Sequence, residues 1–200
     1  MSSIPLAPVR PVLADRVLPR SLVTDALLVV GGMLLTAALA QVEVPLRPVP
    51  VTGQTLAVLL VGAALGPVRG ALSMALYVLV GALGAPVFSG FDGGTATILG
   101  PTGGYLLGFV LAAAATGLLA QRRWERGLLT GMLAFVGGSG VVFLLGLPWL
   151  KASLDLSWGE TLASGLYPFV IGGLVKAAIA AGVLRGAWAL VDRADARKDR

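Results

Sequence analysis

From Leu22 to Leu190 the sequence is a succession of apolar runs joined by connections too short to fold on their own. A membrane-spanning helix needs about 20 predominantly apolar residues, so 200 residues leave room for five to seven spans and no separate soluble domain. Charged residues make up only 12% of the chain, against about 25% in a typical soluble domain. The expectation is an all-α integral membrane protein with six transmembrane helices. These run over about 22–40, 52–65, 68–83, 104–120, 128–150 and 162–190. A disordered basic arm (1–20) precedes the membrane domain (21–191), and a charged tail (192–200) follows it.

Basic residues set the orientation. Eleven fall at the termini or in the connections after spans two and four, and Arg185 lies toward the cytoplasmic end of span six, while only Arg47, Lys151 and Lys176 belong to the other side. By the positive-inside bias both termini are cytoplasmic. The same clustering accounts for the net charge of +5 without nucleic acid as a partner. The first twenty residues hold Pro5, Pro8, Pro11 and Pro19 with three arginines and no apolar core before a cleavage site, so no removable signal peptide is expected.

Two connections on the extracytoplasmic side are unusual. Residues 41–54 carry Pro45, Pro48 and Pro50, which preclude a regular helix and favour extended backbone. The span that follows is short, about 21 Å at 1.5 Å per residue, so Gln54 at its mouth lies below the surface. The second connection, Gly84–Tyr105, is rich in glycine and small hydroxyl residues and contains one acid, Asp92, and no base. Backbone this bare can approach a ligand closely, and at membrane depth it is tolerated where it lines a cavity. It is read as the lid or wall of a small-molecule site.

The residues that are missing narrow the chemistry. No cysteine means no disulfide, thiolate metal site or thiol catalysis, and no histidine removes the usual general base and commonest metal ligand. No metal or cofactor is expected. Gly137–Gly140 reads GGSG, as in intramembrane serine proteases of the rhomboid type, but Ser139 has no histidine to act with, and the patch suits close helix packing. There is no phosphate-binding loop for ATP. The chain is not expected to be an enzyme.

Lys176 stands out because it lies about 12 Å inside the last span, where a charge is costly unless it has a function. A buried ammonium suits a carboxylate or carbonyl of a ligand, and Asp92 is a candidate partner across the cavity. Tyr77 is read as a packing residue or a ligand contact. Gly32, Thr36 and Ala40 form a smooth stripe on the first helix, which serves internal packing or a partner subunit; it is carried forward as a candidate docking face.

Four blocks of sequence resemble the BioY family, the biotin-binding S components of energy-coupling factor (ECF) vitamin transporters: PVPVTGQTLAVLLVGAALGP (48–67), GAPVF (84–88), LGPTGGYLLGF (99–109) and YPFVIGGLVKA (167–177). The resemblance spans roughly residues 25–185. It implies a six-helix vitamin-capture subunit that takes biotin from outside and docks with a transmembrane coupling subunit and two ATPases. The family's last block commonly reads P-F-x-P-G-D-x-x-K. Here Pro168, Phe169, Gly172 and Lys176 match, while Ile171 and Gly173 replace the proline and an expected ligand-contacting aspartate. Asp92 is the residue expected to compensate. The candidate biotin-binding set is Gln54, Tyr77, Phe88, Asp92, Gly93, Gly94, Gly100, Thr102, Gly103, Gly104, Tyr105, Gly173 and Lys176. The backbone of the Gly100–Gly104 turn is an alternative to Lys176 for the valerate carboxylate. The alternatives are another vitamin on the same fold, or a membrane hydrolase using Ser139.

Overall fold

The computed structural model describes residues 11–198, and these are almost entirely helical. A short helix α1 (Leu13–Val17) precedes α2 (Leu22–Ala40); α3 (Gln54–Leu65) and α4 (Pro67–Ala82) follow. Beyond the glycine-rich connection, with its one-turn helix α5 (Thr95–Leu99), come α6 (Gly103–Gln121), α7 (Leu128–Leu154), α8 (Trp158–Gly165) and α9 (Tyr167–Lys198). Four helical stretches are long and apolar enough to cross a membrane, and α3 and α4 are shorter apolar helices.

Local chemistry explains the boundaries. Ser21 caps α2 by accepting the Thr24 N–H at 3.1 Å. Between α3 and α4, Gly66 takes φ +88°, a conformation open to glycine, and Pro67 starts α4 where its missing N–H costs nothing. The proline-rich connection folds into a two-residue antiparallel ribbon, β1 (Glu43–Val44) against β2 (Val51–Thr52), pairing Glu43 with Thr52.

Three expectations need correction. The single last span divides, because Ser157 and Glu160 form a capping box that starts α8 separately; Pro168 then sits in the first turn of α9. The charged tail is no separate segment, since α9 continues to Lys198. The basic arm is folded from Pro11 on, while residues 1–10 lie outside the described residues. Val12 is buried against the Gly66 turn, and Asp15 pairs with Arg20 and with Arg69 of α4 at 3.0 and 2.8 Å. Arg69 also reaches Asp25 of α2 at 2.7 Å, and Arg16 pairs with Asp195 of α9.

Burial raises the affinity of Asp15 for its proton, but the hydrogen bonds from Arg20 and Arg69 outweigh it and hold the carboxyl below its usual range. The resulting stabilisation is present above the ordinary carboxylate pKa and is lost as pH falls through the depressed folded value. Arg69→Gln is therefore expected to lower the melting temperature of the detergent-solubilised protein at neutral pH. The gap to the parent should close on acidification below about pH 4. A gap independent of pH would assign the arginine's contribution to packing.

The stripe on α2 is used inside the chain. A Cβ on Gly32 would lie 2.6 Å from Ser73 Oγ, Thr36 and Ala40 are fully buried, and Thr36 donates to the Gly32 carbonyl. Small residues here let α2 pack directly on α4, so the stripe is not free to dock a partner subunit. Gly138 of the GGSG patch likewise packs on Thr116 and Leu59.

Candidate functional site

The glycine-rich connection is more ordered than its composition suggests. It is held from behind by the end of α2: Gln41 Nε2 donates to the Phe88 carbonyl at 2.9 Å, and Gln41 Oε1 accepts the Phe91 N–H at 3.0 Å. Ser89 bonds to Glu43 of the ribbon. Phe88 turns inward to full burial, with its ring where a Cβ on Gly81 would be. Only glycine at 81 leaves room for that ring.

Beneath this connection lies a cavity of about 450 Å³, within the range usual for small-molecule sites. One wall is aromatic. The Tyr105 and Phe169 rings stack at 6.3 Å, and Phe143 meets both edge-on. Tyr105 is fixed there by donating its hydroxyl to the Gly165 carbonyl at 2.9 Å. The other wall is polar, with Thr52, Gln54, Thr55, Ser89, Asp92, Thr97, Thr102 and Lys176. Among the described residues Lys176 is the one cation and Asp92 the one acid lining it.

Lys176 lies nine residues into α9, roughly 13 Å along it. Its ammonium donates to the Thr52 carbonyl at 2.5 Å and the Thr55 hydroxyl at 3.1 Å. Both acceptors are uncharged, and no acid pairs with it among the described residues. The expected pairing with Asp92 is not formed. The Asp92 carboxylate instead accepts the Gly93 N–H and the Thr97 hydroxyl, both at 2.9 Å, which organises the turn into α5. A cation satisfied only by dipoles is left with an unneutralised charge facing the cavity.

Of the residues expected to bind, Gln54, Phe88, Asp92, Gly93, Gly100, Thr102, Tyr105 and Lys176 line the cavity. Five do not. Gly103 and Gly104 lie behind it, where a Cβ on Gly104 would stand 2.3 Å from Trp149 Cβ and 2.5 Å from the Leu145 carbonyl. The bare Gly104 lets α6 meet α7, and the bare Gly103 makes room for the Ile98 carbonyl of α5. Gly94, at φ +94°, shapes the turn before α5 and donates to the Gly81 carbonyl. Gly173 has nothing within 4 Å of a built Cβ. Tyr77 is wholly buried behind Gln54 and Phe88. The lining also includes Thr52, Thr55, Phe143 and Phe169, none of them in the candidate set. Lys176 points to the two threonines once the ribbon is placed, and the aromatic pair lies on spans that read as uniformly apolar.

A model of the BioY family matches residues 11–193. The chain belongs to the BioY family. Among curated BioY relatives, the probable biotin transporter BioY of Pyrococcus horikoshii is 41% identical over 146 residues, 73% of this chain and 85% of the relative. The biotin transporter BioY of Thermotoga maritima is 40% identical over 157 residues, 78% of this chain and 86% of the relative. The crystal structure of the S-component for biotin from an ECF-type ABC transporter superposes with a TM-score of 0.70 at 25% identity, covering 82% of this chain and 88% of that one. BioY membership and membrane-length helices make this a membrane protein.

Proposed function

We propose that the chain is the biotin-capture subunit of an ECF-type transporter, taking biotin into the cavity under the glycine-rich connection. The observation that carries this is the pairing, in one cavity of a BioY chain, of an uncompensated ammonium with a three-ring aromatic wall. Biotin's fused apolar rings suit the aromatic side, and its carboxylate and ureido group both accept hydrogen bonds of the kind Lys176 donates. The ureido N–H groups find acceptors in Gln54, Asp92 and the threonine hydroxyls. The chain is a transport component and not an enzyme, like the transporters it resembles, and Ser139 lies outside the cavity lining.

The finer reading is six spans, α2, α3, α4, α6, α7 and α9, in a bacterial plasma membrane with both termini cytoplasmic. It is supported by the basic bias and by Arg16, Arg20, Arg69 and Arg126 lying at the end of the bundle opposite the cavity. An energising module of a transmembrane coupling subunit and two ATPases supplies the work, since the chain itself has no ATP-binding loop.

Titration of the purified protein with biotin, by calorimetry or tryptophan fluorescence, is expected to give sub-micromolar binding; a folded protein that binds none would sink the reading. Asp92 fills the role of the aspartate missing at Gly173 if Asp92→Asn weakens binding by about tenfold, the worth of one charge-assisted hydrogen bond. Equal affinity of that variant and the parent would confine Asp92 to shaping the turn.

A further inference from the structure

Five residues, on β2, α3, α4, α9 and the glycine-rich connection, form a continuous run of hydrogen bonds behind the cavity. Lys176 donates to the Thr52 carbonyl, and the Thr52 hydroxyl donates to Gln54 Oε1 at 2.7 Å. Gln54 Nε2 donates to the Tyr77 hydroxyl at 2.7 Å, which donates to the Val87 carbonyl at 2.9 Å. Thr52, Gln54 and Tyr77 are all buried, so the two bonds that join them are made away from competing water.

The direction of this run is forced from both ends. A backbone carbonyl only accepts, so the Tyr77 proton goes to Val87 and the phenolic oxygen must accept from Gln54. At the other end the Gln54 backbone N–H donates to Thr52 Oγ1 at 3.2 Å, freeing the threonine proton for Oε1. An amide is otherwise free to present nitrogen or oxygen either way round, and here one orientation satisfies both neighbours. It leaves one N–H and one lone pair of Gln54 uncommitted on a residue that lines the cavity. Tyr77 also meets Phe88 edge-on at 5.4 Å, so it braces a second lining residue.

We infer that Tyr77 is a positioning residue: its hydroxyl locks the Gln54 amide in the orientation that receives the ligand and ties that amide to the glycine-rich connection at Val87. The ligand class is a planar cyclic urea or amide, which offers a donor and an acceptor side by side to the complementary pair left on Gln54. The naming of biotin as that ligand rests on the function proposed above; the link between Tyr77 and the connection does not.

The test is a double-mutant cycle with a ligand-free arm. Tyr77→Phe keeps the ring and the Phe88 contact and loses only the hydroxyl; biotin affinity should fall about tenfold. In a Gln54→Leu background the same change should have less than a twofold effect, because the group it positions is gone. Thr52→Val should act from the other end of the run, non-additively with Tyr77→Phe, and Thr52→Ser should restore affinity; this pair carries the test if Tyr77→Phe does not fold. Without ligand, amide exchange of residues 87–92 should be faster in Tyr77→Phe than in the parent. Unchanged affinity in Tyr77→Phe, or the same loss in the Gln54→Leu background, overturns the inference while biotin binding by the parent stands. If the parent binds no biotin, the proposed function fails, and unchanged exchange in residues 87–92 then overturns the role of Tyr77 as well.

Discussion

Replacing Lys176 with methionine is expected to weaken biotin binding roughly 100-fold or more, the scale seen when one partner of a buried charged contact is truncated. Methionine keeps most of the stem and removes the charge, so cavity shape changes little. The size of the effect follows from how the ammonium is held. Its partners, the Thr52 carbonyl and the Thr55 hydroxyl, position it without cancelling its charge. Arginine should restore little, because its longer planar fork cannot replace a compact ammonium between those two acceptors. Calorimetric titration of folded variants decides the matter, and a methionine variant within threefold of the parent would remove Lys176 from the site.

The second large effect falls on stability. Gly104→Ala places a methyl group 2.3 Å from Trp149 Cβ and 2.5 Å from the Leu145 carbonyl, neither of which is the movable end of a flexible side chain. Overpacking of this kind costs about 1–3 kcal/mol, more than the gain of up to about 1 kcal/mol from replacing a helical glycine. The melting temperature should drop, while the folded fraction keeps its biotin affinity. Gly173→Ala is the contrasting case. Open space surrounds it, so the helix-propensity gain should leave stability equal or higher. A Gly104→Ala protein as stable as the parent, but unable to bind, would return Gly104 to the site.

These two glycines show what was legible in the sequence. The glycine-rich block 99–109 marked the family, and the helices it separates were placed to within a few residues by hydropathy alone. Whether a bare backbone position faces a ligand or another helix is decided by rotation about the helix axis, to which a uniformly apolar span gives no clue. Hence the glycine pattern suggests lining at Gly103 and Gly104 where the fold uses both for packing, and the Gly32–Thr36–Ala40 stripe faces inward. Charged and polar residues were easier. Lys176, Gln54 and Asp92 are costly or conspicuous where they stand, and all three line the cavity. Their partners were not legible, because the fold sets them across 124 residues for Lys176 and Thr52 and 23 for Gln54 and Tyr77. The folding of residues 11–20 was hidden for a related reason: Asp15 and Arg16 find their distant mates on α4 and α9.

The short helix α3 has a bearing on transport itself. Twelve residues cover about 18 Å, against a hydrocarbon core of about 30 Å, and the ribbon of β1 and β2 occupies the missing depth. Lys176 and Gln54 both line the cavity at the top of that short helix. In the orientation proposed above, a ligand held there has already travelled some way below the headgroups, toward the bilayer midplane, before any subunit moves. Below it lie α3, α4 and the buried Val12, which packs against the Gly66 turn between them. On the proposed function, the energising step then has a thinner wall to breach than a full membrane span would present.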